Sequence, residues 1–382
     1  MDILQVSKYF KPAWQSGGVA RYCYEVSRAL QERGHTVSVY TTDKYIPQDT
    51  RRDDLINVDG IKTRYFENRS DYMANNFRIT TPSALPSIIR ANIDEFDIIH
   101  IHEHRSSLAA IVFYYANKTG VPYVIHEHGS LPYDRGNKYL KYGFDLPLGR
   151  KIVSEAASML ALNEDEANAF QKWGIKNCRI NIVPNGVRVE ETSLKGEVRL
   201  HERDHLELLY IGRISERKGI DILLDAVSQL KNINLKIAGP DDGYLKQMKM
   251  KMSNMNSNNN IEYLGFISEE KKRKLYVNSD VLILPSLYGE GFPTTILEAA
   301  SFGTPTIAST ACNVNFLGDY DAGLIIEPDT EALIDALLKL QRDDELLRKM
   351  KRRSKEVIQE EYSWSDVSGQ LENLYQDIVH KE

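Results

Sequence analysis

The sequence contains few cysteines, no long apolar run and no excess of basic residues. Cys23, Cys178 and Cys312 are far apart and form no C-x-x-C motif, which favours free thiols in a reducing compartment over a disulfide framework. No run of 18 apolar residues occurs, so no membrane-spanning helix is predicted. Because residues 1–6 already read as a strand, no signal peptide is expected. A cytoplasmic protein is therefore predicted, with peripheral contact at the cytoplasmic face of a membrane left open.

The charge balance excludes one broad class of partner. The net charge is −6 and the isoelectric point is about 5.9, whereas a general nucleic-acid binder is usually strongly basic. No nucleic-acid partner is expected, although a local basic patch in a cleft remains compatible with this balance. The length of 382 residues, with 42% hydrophobic and 27% charged residues, predicts two globular domains.

Short β-branched runs alternate with helical patterns, which predicts α/β domains with parallel sheets covered by helices on both faces. In the first half, strands are predicted at 3–6, 37–40, 98–101, 121–125 and 159–162. Helices are predicted there at 19–33, 108–118, 151–158 and 164–173. Turn residues at 184–187 and the polar stretch 190–204 are interpreted as an interdomain linker.

The alternation restarts after this linker. Strands are predicted at 206–211, 235–238, 261–264, 281–284 and 306–309. Helices are predicted at 220–230, 244–255, 269–277, 294–302, 330–341, 345–359 and 364–379. The last of these carries apolar residues at helical spacing, so it is expected to bury one face. The asparagine-rich residues 253–260 are interpreted as a surface loop.

Ligands of open α/β sheets bind beyond the carboxyl ends of the strands, so the loops there are the places to seek function. In the first loop, Gly17 and Gly18 precede a helix, where backbone N–H groups favour an anion. Neither a full G-x-G-x-x-G nor a G-x-x-x-x-G-K-[ST] motif is present, which argues against a dinucleotide site or an NTPase loop. A simple tight turn is the alternative interpretation.

Five of the nine histidines fall at two neighbouring strand ends: His100, His102, His104, His126 and His128. Neutral imidazole is a common metal ligand, so a metal site is one interpretation. Packing and hydrogen bonding at a strand end is another. The interpretation we favour is a direct substrate contact by at least one of His126 and His128, without a metal.

Two loops of the second half carry charged residues between a strand and a helix. Arg213 and Lys218 flank the first loop, and two such cations can neutralise a pyrophosphate without a metal; a solvated basic loop is the alternative. Pro293 is expected in the first turn of a helix, where proline is favoured. Glu290 precedes this helix, and Glu298 lies in its second turn. Carboxylates at these positions are suited to accept hydrogen bonds from sugar and ribose hydroxyls.

At this point the sequence resembles the family 4 glycosyltransferases. Glu290 and Glu298 match the E-x7-E motif, and Gly212, Arg213 and Lys218 match G-R-x4-K. Further segments match in order along the chain: Gly17-Gly18-Val19, His128-Gly129-Ser130, Asn185-Gly186-Val187 and Tyr362-Ser363-Trp364. The resemblance covers essentially the whole chain and implies the GT-B fold, in which two doubly wound Rossmann-like domains face each other across a cleft.

The resemblance also implies a domain plan. Residues 1–190 would form the acceptor-binding domain and residues 191–360 the domain that binds the nucleotide-sugar donor. Residues 361–382 would form a helix that crosses back to the N-terminal domain.

Roles in the donor site are implied residue by residue. Arg213 and Lys218 would bind the diphosphate and stabilise the leaving group. Glu290 would hold donor-sugar hydroxyls, Glu298 the nucleotide ribose, and Phe266 would lie near the base.

Other residues complete the implied site. Backbone N–H groups at the start of the helix would assist Glu290, at Gly291, Phe292 and Thr294. Gly17 and Gly18 would close on the diphosphate from the N-terminal domain. His128, with His126 second, would sit near the reacting sugar.

The implied reaction retains anomeric configuration and needs no metal. The acceptor hydroxyl attacks the anomeric carbon from the face that the nucleotide leaves, and fixed cations stabilise the growing charge on the phosphate. The donor would be a UDP- or GDP-linked sugar, so no separate cofactor is expected. The acceptor would be a glycan or a lipid-linked molecule, in glycan, polysaccharide or glycolipid synthesis. Asp319-Tyr320-Asp321 resembles the D-x-D motif of metal-dependent enzymes but stands in a turn-like stretch, and we interpret it as a loop.

Three other functions remain open at this stage. A nucleotide-sugar 2-epimerase shares the fold and binds the donor without an acceptor. A hydrolase or phosphorylase would present two carboxylates about 5–9.5 Å apart across a sugar bond, which the placement of Glu290 and Glu298 does not favour. A non-catalytic nucleotide-sugar binder would need only the donor loops. Residues 133–151, with basic and aromatic positions, are interpreted as a solvated helix and loop, with an acceptor or membrane surface as the alternative.

Overall fold

The computed structural model describes residues 1–14, 17–44, 54–70, 80–131, 138–189, 205–255, 259–288 and 290–380. The chain divides into two compact units, of which unit 1 is Met1–Asn185 with Trp364–Glu382 and unit 2 is Gly186–Ser363. The predicted linker at 190–204 lies outside the described residues, as do residues 256–258 of the asparagine-rich tract and residues 132–137 of the aromatic segment.

Unit 1 is built around a sheet that has eight strands within the described residues, in the order β3-β4-β2-β1-β5-β6-β7-β8. Its strands are β1 (Asp2–Val6), β2 (Thr36–Thr42), β3 (Leu55–Val58), β4 (Ile61–Phe66), β5 (Ile98–His102), β6 (Tyr123–His126), β7 (Ser158–Ala161) and β8 (Ile180–Ile182). All neighbouring pairs are parallel except β3 with β4. The helices of unit 1 up to residue 172 are α1 (Gly18–Glu32), α2 (Leu85–Asn92), α3 (Ser107–Thr119), α4 (Lys138–Phe144), α5 (Arg150–Glu155) and α6 (Glu164–Lys172).

Unit 2 is built around a parallel sheet that has six strands within the described residues, in the order β11-β10-β9-β12-β13-β14. Its strands are β9 (Leu206–Ile211), β10 (Ile233–Ala238), β11 (Asn260–Tyr263), β12 (Val281–Leu284), β13 (Thr306–Ser309) and β14 (Gly323–Ile326). Its helices are α7 (Ile220–Gln229), α8 (Leu245–Asn254), α9 (Glu269–Val277), α10 (Thr294–Ser301), α11 (Phe316–Asp319), α12 (Thr330–Arg342) and α13 (Asp344–Glu361). The chain closes with α14 (Trp364–Val379), which belongs to unit 1.

The core of unit 1 lies on both faces of its sheet. Ile3, Ile98 and Val124 point to the face that α1 and α14 cover, while their sequence neighbours point to the opposite face, under α2 and α3. Side chains alternate across a strand, so a central parallel strand that is buried on both faces reads as a continuous apolar run. Helix α14 adds Leu371 and Tyr375, both fully buried, to the first face.

The predicted alternation of strands and helices is confirmed for the elements it named, with two corrections. The predicted helix over 151–158 is wrong at its end, because α5 ends at Glu155 and Ser158 already begins the buried strand β7. Ala156 is extended, with ψ of 137°, and turns the chain from the helix into the sheet. Pro293 is the N-cap of α10 and not part of its first turn.

The prediction also missed several elements. Strands β3, β8 and β14 lie at the sheet edges, β4 lies between β3 and β2, and helix α2 is short. Edge strands keep one solvent-facing side and more polar residues, so their sequence pattern is weak. In the ranges that the structure describes, no helix combines the length and apolar character needed to cross a bilayer.

Candidate functional site

In the sheet of unit 2, the order in which the chain adds strands reverses at β9. From β9 the chain adds β10 and β11 on one side, and then crosses to β12 on the other. Ligands of open α/β sheets bind at such a switch point, outside the carboxyl ends of the strands. The loops that follow β9 and β12 therefore define the candidate site of unit 2.

These two loops are in direct contact. The Leu287 N–H donates to the Arg217 carbonyl oxygen at 2.8 Å. A Cβ atom on Gly219 would lie 1.9 Å from the Pro285 carbonyl oxygen, and Gly219 has a φ of +66°. Both facts require glycine at this position, which keeps the loops close enough for their side chains to meet.

The contact brings Lys218 and Glu290 together. Lys218 Nζ lies 2.6 Å from Glu290 Oε1, and Arg217 Nη1 lies 3.3 Å from the same oxygen. The side chains of Lys218 and Glu290 are only 12% and 10% exposed, so screening by water is reduced and the pair is held firmly. The sequence analysis did not name Arg217 as a site residue. Its position beside Lys218, as the third basic residue of the same loop, was the signal that could have identified it.

Arg213 has a different environment. Its side chain is 57% exposed, and Nη1 lies 3.5 Å from Asp242 Oδ2. The two predicted diphosphate ligands, Arg213 and Lys218, therefore pair with separate carboxylates. The exposed guanidinium is bound only weakly by Asp242, so it is available to an incoming anion.

Glu298 lies on α10 within a small polar cluster. Its Oε2 accepts a hydrogen bond from Tyr276 Oη at 2.9 Å and lies 2.9 Å from Lys272 Nζ. Lys272 also lies 2.9 Å from Glu269 Oε2. Tyr276 and Lys272, both on α9, orient the carboxylate that the sequence predicts to hold a ribose. Sequence reasoning missed them because their spacing from Glu298 forms no motif.

The remaining predicted donor residues lie around the same switch point or close to it. Helix α10 begins at Thr294 behind Pro293 and carries no acidic residue in its described first turn, which leaves its N-terminal N–H groups and the helix dipole suited to an anion. Gly291 is half-buried. The Phe292 ring stacks at 5.9 Å on Tyr362, so the ring packs within unit 2 and the predicted role falls to the backbone. Phe266 follows β11 and is 83% exposed.

In unit 1, Gly17 and Gly18 lie at the start of α1 and are exposed. Gly17 has a φ of +117°, a conformation that side chains disfavour, and a Cβ atom on it would contact nothing within 4 Å. Backbone geometry and not crowding therefore requires this glycine. Ser16, the preceding residue of the predicted loop, lies outside the described residues.

The five predicted histidines separate into two environments. His100, His102, His126 and His128 form one stack, in which the His126 and His128 centroids are 4.0 Å apart with an interplanar angle of 18°. His126 is fully buried, and neither of its ring nitrogens has a hydrogen-bond partner among the described residues. His128 is the partly exposed member of the stack, and so the one that a ligand can reach.

Hydrogen bonds connect His128 to the interior. His102 Nδ1 lies 3.0 Å from His128 Nε2, and His102 Nε2 lies 2.8 Å from Gln5 Oε1. Burial lowers the pKa of His102 well below its usual range. Burial also lowers the pKa of His128 to about 4, against the opposing effect of Glu103 and Glu127. These imidazoles are therefore neutral at pH 7.

His104 forms the second environment, a buried network below the His128 loop. Its Nδ1 lies 2.6 Å from Glu127 Oε1 and its Nε2 lies 3.1 Å from Asp145 Oδ1. Although burial alone would raise it, the pKa of Glu127 is lowered to about 2 by His104 and by the Ser130 hydroxyl. Burial lowers the pKa of His104 too, but the two carboxylates outweigh this effect and raise it. His104, Glu127 and Asp145 therefore form a charged, hydrogen-bonded network beneath the His128 loop.

Within the part of the chain that the structure describes, no group of three or more His, Cys, Asp or Glu side chains is arranged to hold a metal ion. The stacked imidazoles have nearly parallel planes, so their nitrogens do not converge on one point. Of the D-x-D residues, Asp319 ends α11, and Asp321 lies 2.7 Å from Lys349 Nζ.

Two doubly wound units, with a cation–carboxylate pair at the switch point of the second, define a GT-B glycosyltransferase. Comparison with known families identifies the particular family. Residues 195–357 match the family described as Glycosyl transferases group 1, and residues 16–191 match Glycosyltransferase Family 4. Together these matches span most of the chain, and the protein belongs to the family 4, group 1 glycosyltransferases.

Curated relatives are similar along most of their length. The chain is 24% identical over 394 residues to one of the subunits of phosphatidylinositol N-acetylglucosaminyltransferase from Arabidopsis thaliana, covering 98% of this chain and 81% of that protein. It is 25% identical over 372 residues to the phosphatidyl-myo-inositol mannosyltransferase of Mycolicibacterium smegmatis, covering 95% and 90%.

Solved structures confirm the fold. Sucrose-phosphate synthase from Thermosynechococcus elongatus superposes with a TM-score of 0.76 at 19% identity, covering 100% of both chains. Anabaena HepE in complex with UDP and glucose superposes with a TM-score of 0.73 at 16% identity, covering 99% of this chain and 100% of that one.

Proposed function

We propose that this glycosyltransferase transfers a sugar from a nucleoside-diphosphate donor to an acceptor hydroxyl with retention of configuration and without a metal. The observation that carries the proposal is the pairing of Lys218 and Glu290 at the switch point of unit 2, 2.6 Å apart and almost enclosed. The two groups suit the two parts of a nucleotide sugar. The Lys218 cation can bind the diphosphate, and the Glu290 carboxylate can accept hydrogen bonds from the sugar hydroxyls.

The donor enters by replacing internal partners. In the structure, Glu290 satisfies Lys218 and Arg217. A bound diphosphate takes over these cations, together with Arg213 and the N–H groups at the start of α10. Glu290 is then released to accept hydrogen bonds from the sugar. After this exchange the cations are paired with the diphosphate and the carboxylate accepts hydrogen bonds, so no charge is left without a partner, which would be costly in a nearly buried site.

Catalysis follows from the same arrangement. Negative charge grows on the β-phosphate as the glycosidic bond breaks, and fixed cations and N–H groups directed at it stabilise the transition state. The acceptor oxygen bonds to the anomeric carbon on the face that the nucleotide leaves, and its proton passes to the departing phosphate, so neither a protein nucleophile nor a protein base is required. His128 contacts the transferred sugar in the bound state.

The proposal is tested by thermal-shift measurements with UDP, GDP, ADP and their sugar conjugates, each with and without EDTA. A ligand at a hundred times its dissociation constant adds about 2.7 kcal/mol of stability, a clearly visible shift. One nucleotide family should stabilise the protein equally in both conditions, and the sugar of its conjugate should appear on an acceptor as the α-anomer if the donor is α-linked. Loss of the shift in EDTA, or no shift for any nucleotide, contradicts the metal-free donor site. Recovery of only an epimerised donor favours the 2-epimerase.

For the acceptor, we propose a lipid-linked molecule presented at a membrane surface. Both relatives described above act, by their names, on phosphatidylinositol. In unit 1, Tyr139, Tyr142 and Leu146 are 76%, 53% and 80% exposed, and Arg150 and Lys151 follow them on the surface. Exposed aromatic and apolar side chains beside cations suit an interface with anionic lipid.

Sedimentation with vesicles tests this surface. Wild-type protein should sediment with phosphatidylglycerol vesicles and not with pure phosphatidylcholine. The variant Y139S/Y142S/L146S should stay in the supernatant, whereas Y114S, which changes another exposed tyrosine of unit 1 (60% exposed), should sediment like the wild type. Equal sedimentation of both variants contradicts the proposed surface.

A further inference from the structure

Three polar side chains of unit 1 form a hydrogen-bonded line from the interior to the His128 loop. Gln5 is on β1, His102 ends β5, and His128 follows β6. Because β1 pairs with β5 and β5 pairs with β6, the three residues come together at one edge of the sheet. The contacts are 2.8 Å between Gln5 Oε1 and His102 Nε2, and 3.0 Å between His102 Nδ1 and His128 Nε2.

The direction of each hydrogen bond follows from the chemistry of its acceptor. A neutral imidazole carries one N–H and one lone pair, and an amide oxygen only accepts. Since Gln5 presents its oxygen, His102 must carry its hydrogen on Nε2. His102 Nδ1 is then an acceptor, so the hydrogen between the two imidazoles belongs to His128 Nε2.

The Gln5 amide presents its oxygen, and not its nitrogen, to His102. Its Nε2 reaches no described residue at hydrogen-bonding distance, so Oε1 is the atom through which Gln5 acts on His102.

The backbone around His128 is held equally firmly. His128 has a φ of +51°, an uncommon conformation for a residue with a side chain. The Gly129 N–H donates to Glu166 Oε1 at 2.6 Å, and the Ser130 hydroxyl donates to Glu127 Oε2 at 2.7 Å. Glu166 is in turn bonded through Oε2 to the Leu162 N–H at 2.8 Å. The imidazole therefore has a fixed position as well as a fixed tautomer.

We propose that Gln5 and His102 are positioning residues that hold His128 as its Nε2–H tautomer, so that Nδ1 is a hydrogen-bond acceptor. The consequence for catalysis rests on the function proposed above: His128 accepts a hydrogen bond from a hydroxyl of the transferred sugar and does not act as a proton donor. Neither Gln5 nor His102 reaches the ligand, since both are buried, and they act through His128.

The tautomers are measured directly by long-range ¹H–¹⁵N correlation spectra of the unliganded full chain at pH 8, with signals assigned by single histidine variants. His102 and His128 should both show hydrogen on Nε2 and a lone pair on Nδ1. Hydrogen on Nδ1 of both rings would mean that His102 donates to His128 and not the reverse, and would overturn the proposal. The measurement needs no donor, so its result stands whether or not nucleotides bind.

Two variants of Gln5 separate positioning from packing. Gln5→Glu keeps an acceptor oxygen and should keep the wild-type tautomers at pH 8. Gln5→Leu removes the acceptor, so a fraction of His128 should change to the Nδ1–H form. Fluorescence of Trp14, Trp173 and Trp364, all of which belong to unit 1, shows whether each variant is folded.

Activity measurements on the same variants then show whether the tautomer of His128 affects the reaction. In Gln5→Leu, kcat/KM should fall by the factor by which the Nε2–H population of His128 falls, because only that form is competent. Reduced activity with unchanged tautomers in a folded variant would assign Gln5 a packing role and overturn the proposal. If no nucleotide binds the wild type, the proposed function fails while the tautomer result is unaffected.

Discussion

Lys218 Nζ and Glu290 Oε1 are 2.6 Å apart, although 71 residues separate them in the sequence. They meet because β9 and β12 are neighbours in the sheet of unit 2 and both loops leave its carboxyl edge. In the function proposed above, Lys218 binds the diphosphate and Glu290 the sugar, and each member neutralises the other until the donor binds. Its two members should therefore respond differently to substitution.

Glu290→Ala should strongly reduce sugar transfer while leaving the fold intact. If the carboxylate contacts the sugar at the reacting end of the donor, as proposed, kcat should fall by roughly 10²–10³, the usual cost of one preorganised electrostatic contact. Steady-state kinetics and the unfolding temperature measure the two effects. Turnover near the wild-type level in a folded variant would remove Glu290 from the site.

Lys218→Ala should weaken binding of the nucleoside diphosphate by about tenfold or more, corresponding to roughly 1.5–3 kcal/mol for a charged hydrogen bond. Affinity for the nucleoside alone should not change. The double variant Lys218→Ala/Glu290→Gln should recover part of the loss, because the single variant leaves an unneutralised carboxylate facing the phosphates and the second substitution removes its charge.

Calorimetric titration of the single and double variants measures these affinities. Lys274→Ala is the matched control, since this lysine of α9 is 70% exposed and pairs with its helix neighbour Glu270, away from the two loops of the site. An equal loss of affinity for nucleoside and diphosphate would assign Lys218 a structural role.

Tyr276→Phe should weaken the contact between Glu298 and the ribose. The variant removes the hydroxyl that donates to Glu298 Oε2 at 2.9 Å, and one hydrogen bond contributes about 1 kcal/mol. Wild-type protein should bind a ribonucleotide better than its 2′-deoxy form, and the variant should discriminate less. Tyr320→Phe is the control: it removes a hydroxyl bonded to Glu361 and should change the affinity for neither the ribonucleotide nor its 2′-deoxy form. Unaltered discrimination in Tyr276→Phe would separate Glu298 from the ribose.

The histidine stack predicts that unit 1 loses stability on mild acidification. Burial lowers the pKa of His100 to about 3 and that of His126 well below its usual range, so each must gain a proton on unfolding. A group with a lowered folded pKa contributes stability above its unfolded pKa of about 6.5 and loses it as the pH falls. The pKa of His104 is raised, so its contribution to the stability of unit 1 is fully present below pH 6.5. The pKa of Glu127 is lowered, so its contribution to stability decreases only below about pH 4.5.

Between pH 6 and 4.5 the slope therefore reports the stack together with His35, whose pKa burial also lowers. Each such histidine contributes roughly 1.4 kcal/mol per pH unit to the fall in the free energy of unfolding. Urea unfolding followed by tryptophan fluorescence isolates unit 1, which holds all three tryptophans. His126→Phe, which keeps a ring in the stack, should reduce the slope by about that amount. A slope that does not change between wild type and variant would show that His126 is protonated in the folded state.

The sequence predicts the central elements of both sheets because their strands are short, largely apolar segments, and β12 is apolar throughout. It also identifies Glu290 and Lys218 as site candidates, through loops between a strand and a helix. Their direct contact depends on strand order, which is set by long-range pairing and leaves no local pattern.

The histidines illustrate the same limit. Clustering of His102, His126 and His128 at neighbouring strand ends is visible in the sequence, since parallel strands end at a common edge. Which imidazole is exposed depends on register and on the left-handed backbone at His128. Gln5 stands in an apolar strand and carries no functional pattern, so only the pairing of β1 with β5 shows its role.

Gly219→Ala tests whether close approach of the two loops creates the donor site. Gly219 has a φ of +66°, and a Cβ atom would lie 1.9 Å from the Pro285 carbonyl oxygen. The left-handed conformation costs an alanine about 1–2 kcal/mol, and overpacking adds typically about 1–3 kcal/mol. Gly243→Ala is the matched control, because Gly243 has a φ of +91° but a Cβ atom there would meet nothing within 4 Å.

The two variants should therefore share the conformational cost and differ in the steric one. Hydrogen exchange of β9 and β12 measures the stability of unit 2, where tryptophan fluorescence has no probe. Both variants should exchange faster than wild type, Gly219→Ala by the larger factor, and only Gly219→Ala should lose affinity for the nucleoside diphosphate, since its loops move apart and separate Lys218 from Glu290. If Gly243→Ala lost the same affinity, general destabilisation of unit 2 would explain the effect, and the loop contact would have no specific role in donor binding.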